Sequence, residues 1–204
     1  RYLLISSSRK GTPPASLQGV WTVHDKSPWG SGFWHNINIQ MNYWHAFSAN
    51  IAEAFDAYAD YFKAYLPEVE KNAKAWIAET NPENAEGDCG WIIGTGAFCY
   101  EVEGKNPNSH SGPGTGGLTA KMFSDAYDFT RDEEFLKDYA YPAVHGMAKF
   151  LKKTLRDYDG RKLCSFSASP EQILSGEWVN EHKYQQYYHT VGCSFDQQMV
   201  KEVF

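Results

Sequence analysis

NIAEAFDAYADYFKAYLPEVEKNAKAWI, residues 50–77, is the stretch on which the reading of the fold turns. Within it Ile51, Phe55, Tyr58, Phe62 and Tyr65 recur at steps of three and four, which gathers apolar side chains on one face of an α-helix. Pro67 lacks the amide proton that an interior helical position donates, so a kink or restart is expected there. Val69, Ala73, Trp76 and Ile77 carry the stripe onward. The same periodicity returns downstream. Leu118, Met122, Ala126 and Phe129 predict one helix, and Thr130 or Asp132 offers an N-cap for a short helix over 133–139. Pro142 opens the next, with Tyr141, Val144, Ala148, Leu151 and Leu155 as its buried stripe opposite Lys149, Lys152, Lys153 and Arg156. Asp159-Gly160 is expected to stop it, and a last helix is expected from Ser194 through Met199 and Val200 to Phe204.

Between these helices lie 11–32, 83–117 and 165–191, each rich in Gly, Pro, Ser, Asn or aromatics. Loops of that length inside a compact domain are uncommon unless they are functional. Helical hairpins with long loops at one end suit a mainly α chain arranged as an α/α barrel whose mouth the loops wall. An irregular bundle would read the same way, and short β segments within the loops stay open.

Composition narrows the function classes. Lys+Arg 19 against Asp+Glu 25 gives a net charge of −6, which disfavours nucleic acid, since a phosphate-rich partner needs a concentrated basic face. No apolar run approaches the roughly 20 residues of a membrane helix. Cys89, Cys99, Cys164 and Cys193 show neither CxxC spacing nor disulfide-scaffold density and read as buried free thiols. The seven His show no close zinc-ligand pairing, although His182 and Tyr188-His189 fall in a long loop; neither a metal nor a cofactor is expected. Aromatic residues make up 16% of the chain. Such rings suit a sugar cleft, because the C–H face of a pyranose packs on them, but they also fill ordinary cores.

Three segments carry candidate chemistry. In Phe33-Trp34-His35-Asn36-Ile37-Asn38-Ile39-Gln40-Met41-Asn42-Tyr43-Trp44 the amides of Asn36, Asn38, Gln40 and Asn42 alternate, so in an extended stretch they would line one side as a wall for hydroxyls or a water. Asn-rich turns that bond their own backbone would leave the same spacing. In Ser165-Phe166-Ser167-Ala168-Ser169-Pro170-Glu171 the terminal carboxyl, if set among apolar groups, can hold its proton near neutral pH and donate it to a departing glycosidic oxygen. A surface or N-cap-region role fits Glu171 as well. In Gly192-Cys193-Ser194-Phe195-Asp196-Gln197-Gln198, Asp196 stands at a helix start, where capping competes with a role in binding.

Taken together the segments resemble the catalytic barrel of glycoside hydrolase family 95, the α-L-fucosidases. The resemblance runs through Arg1-Tyr2-Leu3-Leu4-Ile5-Ser6-Ser7-Ser8-Arg9, Leu17-Gln18-Gly19-Val20-Trp21, the asparagine-rich block, Asp128-Phe129-Thr130-Arg131-Asp132, Phe135-Leu136, Ala140-Tyr141-Pro142, Ser169-Pro170-Glu171 and Ser194-Phe195-Asp196-Gln197-Gln198, and so spans nearly the whole chain. It implies that 1–204 is part of an (α/α)6 barrel whose full form has a β-sandwich before it and further helical hairpins beyond Phe204. It also implies inverting, exo-acting hydrolysis of α-L-fucosidic linkages in oligosaccharides or glycoconjugates. Glu171 would be the general acid. Asn36 and Asn38 would hold the attacking water with an aspartate base in a later hairpin. Trp34, His35, Gln40, Asn42, Trp91 and Asp196 would line the substrate. By the same resemblance the full protein is expected to be secreted or periplasmic, its signal region lying outside this chain.

The chain departs from the family pattern in three places. Trp34 stands where the family places His or Thr, with His35 shifted by one. Ile92-Ile93-Gly94-Thr95-Gly96 replaces a stretch with paired histidines and an aspartate, and Leu118, Met122 and Ser124 replace Trp and His. His110, in its Gly- and Ser-rich loop, is a candidate replacement contact or a solvated residue. Since losing hydrogen-bonding groups changes substrate preference by large factors, α-L-galactoside cleavage on the same scaffold is the alternative. A carbohydrate-binding barrel that has lost catalysis is the alternative of another class.

Overall fold

The computed structural model describes residues 1–97, 112–169 and 190–204. In chain order the elements are α1 (Tyr2–Ser7), β1 (Phe33–Trp34), α2 (Asn38–Ser48), α3 (Asp56–Thr80), β2 (Gly96–Ala97), α4 (Thr115–Thr130), α5 (Glu133–Phe135), α6 (Tyr141–Thr154), β3 (Leu155–Tyr158), β4 (Arg161–Cys164) and α7 (Ser194–Val203). The chain is mainly α, and the strands among the described residues are two short antiparallel pairs, β1 with β2 and β3 with β4. Helix α4 packs against α2, α6 and α7, which makes it the strut between the asparagine-rich block and the end of the chain.

Helix α3 forms where the periodicity placed it, yet it passes unbroken through Pro67, against the expected kink or restart. The reason is local. Pro67 and Lys63, whose carbonyl loses the bond a residue four places on would supply, are both exposed, so the missing rung falls on the solvent side of the helix and not in the core. On the opposite face Phe62, Tyr65, Val69, Ala73, Trp76 and Ile77 stay in phase across the proline and are buried. At the helix end Arg156 of β3 donates to the Thr80 carbonyl at 3.0 Å, bonds the Asn81 side chain and pairs with Glu83 at 3.0 Å. A cation at a helix C-terminus meets both its unpaired carbonyls and the negative end of its dipole.

Asp132 is the N-cap, its carboxylate accepting from the amides of Glu134 at 2.9 Å and Phe135 at 3.0 Å. The turn it starts passes through one π-helical stretch, Leu136–Ala140, into α6. Within α6 the buried positions are Ala143, Met147, Phe150, Leu151 and Thr154; of the expected stripe Leu151 is buried, Val144, Ala148 and Leu155 are half-buried, and Tyr141 is exposed. Small residues explain the rotation. Gly146 and Ala143 lie against Trp91, and close approach there turns the helix by about one position. Asp159-Gly160 does not stop this helix, which ends five residues earlier. Both residues have positive φ, 50° and 76°, and form the two-residue turn of the β3–β4 hairpin, where paired left-handed conformations match the twist of the strands.

Part of the aromatic excess builds the core. Phe123 of α4 lies 5.3 Å from Phe55 and 4.9 Å from Phe62, and Phe62 meets Trp91 edge-on at 4.8 Å. Phe123, rather than the expected Phe129, is the buried aromatic of α4, and Phe129 is largely exposed. Cys89 and Cys164 are buried free thiols and Cys193 is a half-buried one; Cys99 lies outside the described residues.

Candidate functional site

The asparagine-rich block is a strand end followed by a helix start. Trp34 pairs with Gly96, its indole N–H donates to the Trp29 carbonyl at 3.2 Å, and the His35 amide donates to the Thr95 carbonyl at 2.7 Å. From Asn38 onward the chain is helical, so the expected extended wall of four amides does not form. On a helix, alternate positions point to different sides, and residues three or four apart share a face. Gln40 accordingly turns inward, fully buried, donating to the His35 carbonyl at 2.6 Å and to Thr119 of α4 at 3.3 Å. Asn42 turns to the preceding loop, donating to the Ser16 carbonyl at 3.0 Å. Those two amides hold the scaffold. Asn36 and Asn38 remain together at the β1–α2 junction, both half-buried.

His35 is fully buried between Tyr58 and Tyr61. Burial drives its imidazole down to about 3, opposed in part by the Phe33 backbone, so it is neutral at physiological pH. The linkage has a definite sign. A lowered folded-state value contributes stability that is complete above the ordinary value of 6.5 and is lost as pH falls from there toward 3. We expect a loss of about 1.4 kcal/mol per pH unit through that window. His35→Phe, which has no proton to take up, should flatten the dependence in acid denaturation curves, and an unchanged slope would contradict the assignment.

Trp91 was expected at the sugar. It is fully buried, donates its N–H to the Ala143 carbonyl at 2.7 Å, and lies under α6. Asp196, also fully buried, does not cap α7. One carboxylate oxygen accepts from the Gly114 amide at 2.7 Å; the other accepts from Ser167 Oγ at 2.5 Å, the Ala168 amide at 3.1 Å and Cys193 Sγ at 3.3 Å. Burial pushes this carboxyl above its usual range, against the pull of those donors. Sequence reasoning missed Ser167 and Thr119 as the partners that lock the two segments in place, and neither carries a spacing signal that could have revealed it.

Helix α4 joins the two halves. Gly114 at its start is bonded to Asp196, and Thr119, five residues or about 7.5 Å further along the helix, is bonded to Gln40. Glu171 lies outside the described residues, as do His110, His182 and Tyr188-His189. Among the described residues no group of three or more His, Cys, Asp or Glu could hold a metal, and no helix is long and apolar enough to cross a membrane. A surface groove of about 520 Å³ beside α1 and α2 contains Asn42 and no other expected site residue.

The chain is similar in sequence to known proteins. Over 191 residues the chain is 32% identical to Alpha-L-fucosidase 2 of Arabidopsis thaliana, covering 86% of this chain and 20% of that protein. Over 218 residues it is 27% identical to Probable alpha-fucosidase A of Aspergillus niger, covering 100% of this chain and 24% of that one. The chain thus spans about a fifth to a quarter of the length of these relatives. The sequence profile of the Glycosyl hydrolase family 95 catalytic domain matches residues 1–204, and the chain belongs to that family.

Proposed function

We propose that the protein this chain belongs to is an inverting exo-glycosidase acting on α-L-fucosidic linkages, with Glu171 as general acid and Asn36 and Asn38 positioning the attacking water. The observation that carries the reading is the β1–α2 junction. Of the four amides in the block, Gln40 and Asn42 are committed to the scaffold, and their bonds fix the backbone from which Asn36 and Asn38 project. A rigid mount suits a pair that must orient one water, because positioning of reactants within a fraction of an ångström supplies much of the barrier lowering. Inversion requires acid and base on opposite faces of the sugar, roughly 6.5–9.5 Å apart, with that water between the base and the anomeric carbon. The family match across residues 1–204 supplies the chemical context.

Trp34 favours a second specificity. Its ring is held by the Trp29 carbonyl and lies where an added Cβ on Gly96 would touch it at 3.3 Å. A bulky, fixed side chain next to Asn36 would change which C5 substituent fits. The test is hydrolysis of nitrophenyl α-L-fucoside and α-L-galactoside by the full-length protein, with proton NMR following the first-formed anomer. The expected product is the β-anomer, released first. First release of the α-anomer overturns inversion, and turnover of neither glycoside overturns the glycosidase reading.

A further inference from the structure

We infer that Asp196 is a positioning residue for the general acid; the inference rests on the reading of Glu171 given above. Its carboxylate lies where three segments meet: the start of α4, the start of α7 and the end of the described run that leads to Ser169-Pro170-Glu171. Ser167 pairs with Thr190 through both backbone bonds, 2.9 and 2.6 Å, and its Oγ also accepts from the Cys193 amide at 3.0 Å. Asp196 anchors that pairing through Ser167 Oγ and the Ala168 amide. Glu171 follows Ala168 by three residues in the sequence.

The anchor is built for a carboxylate. Its contacts are all donors, and two glycines pack directly against it. A Cβ on Gly112 would come to 2.1 Å from one carboxylate oxygen, and a Cβ on Gly114 to 2.6 Å from the other. Asp196→Asn keeps the shape but turns an NH2 toward groups that are themselves donors, so one side of the knot must open. Since displacement of a reacting group by about 1 Å can cost about a hundredfold in rate, the effect should appear in chemistry more than in binding.

The readout that separates positioning from general stability is leaving-group dependence. An alkyl α-L-fucoside needs its departing oxygen protonated, whereas α-L-fucosyl fluoride depends far less on an acid. In the full-length enzyme, Asp196→Asn should lower kcat on the alkyl glycoside by about a hundredfold. Turnover of the fluoride should stay within about threefold, with KM little changed for both. Ser167→Ala, which removes one donor and keeps the carboxylate, should show the same selectivity at smaller amplitude and serves if Asp196→Asn fails to fold. Equal losses on the two substrates, or none, overturn the positioning role. Glu171→Gln run on the same pair distinguishes the two claims: if it spares the alkyl glycoside, the acid assignment falls and the inference with it. If Glu171→Gln is selective and the Asp196 and Ser167 variants are not, only the inference falls.

Discussion

Glu171→Gln in the full-length protein should lower kcat on alkyl α-L-fucosides by about 10²–10⁴-fold, the usual contribution of a positioned proton donor. Glutamine keeps the length and polarity of the side chain and cannot release a proton, so KM should change little. That split, measured by steady-state kinetics, marks an interaction that matters in the transition state and not in the ground state. The pH profile adds a second arm. An enzyme that needs Glu171 protonated loses activity as pH rises through its pKa, and that alkaline limb should vanish in the variant. Unchanged turnover would end the reading.

Gly146→Ala should destabilise the fold by about 3 kcal/mol, against the helix preference of alanine, which favours the substitution by roughly 1 kcal/mol. Geometry decides the sign. A Cβ at 146 would lie 2.5 Å from Trp91 Cδ1 and 3.0 Å from its Nε1. The indole cannot retreat without giving up its bond to the Ala143 carbonyl, and Phe62 packs on it at 4.8 Å. Overpacking costs about 1–3 kcal/mol, and a buried N–H left without its acceptor costs a similar amount. Denaturant unfolding with fluorescence detection would measure the shift. A variant as stable as the parent would show that α6 can slide over Trp91.

What could be read from residue order, and what could not, divides along physical lines. The α3 stripe and the Asp132 cap were legible because each depends on neighbours no more than four places away. The fate of Pro67 was not, since whether a missing amide bends a helix depends on whether the freed carbonyl meets water. The stripe of α6 was misjudged because a tertiary contact, Gly146 on Trp91, outweighed the hydrophobicity of Tyr141 and Val144. Asp159-Gly160 reads equally well as a helix stop and a hairpin turn, and the strands on either side decide between them. The alternating amides were noticed, but the period assigned to them was that of a strand. Once helical, the block divides into Gln40 and Asn42, which bind the frame, and Asn36 and Asn38 at its junction. Asp196 stood out in the sequence, and its four donors, 28 to 82 residues away apart from Cys193, left no local trace.

The β3–β4 hairpin carries a further consequence. Its register runs Leu155 with Cys164, Arg156 with Leu163, Asp157 with Lys162 and Tyr158 with Arg161, and it hands the chain to Ser165, which bonds the Thr154 carbonyl through both its amide and its hydroxyl. Side chains on a strand alternate in direction, so a one-residue slip of this register would swap Cys164 from the inner face to the outer. The segment that follows is therefore indexed like a toothed wheel, in steps of two. Length changes at 159–160 should be tolerated where the turn absorbs them, and one that slips the pairing by a single residue would deliver Ser167 to the wrong side of its carboxylate.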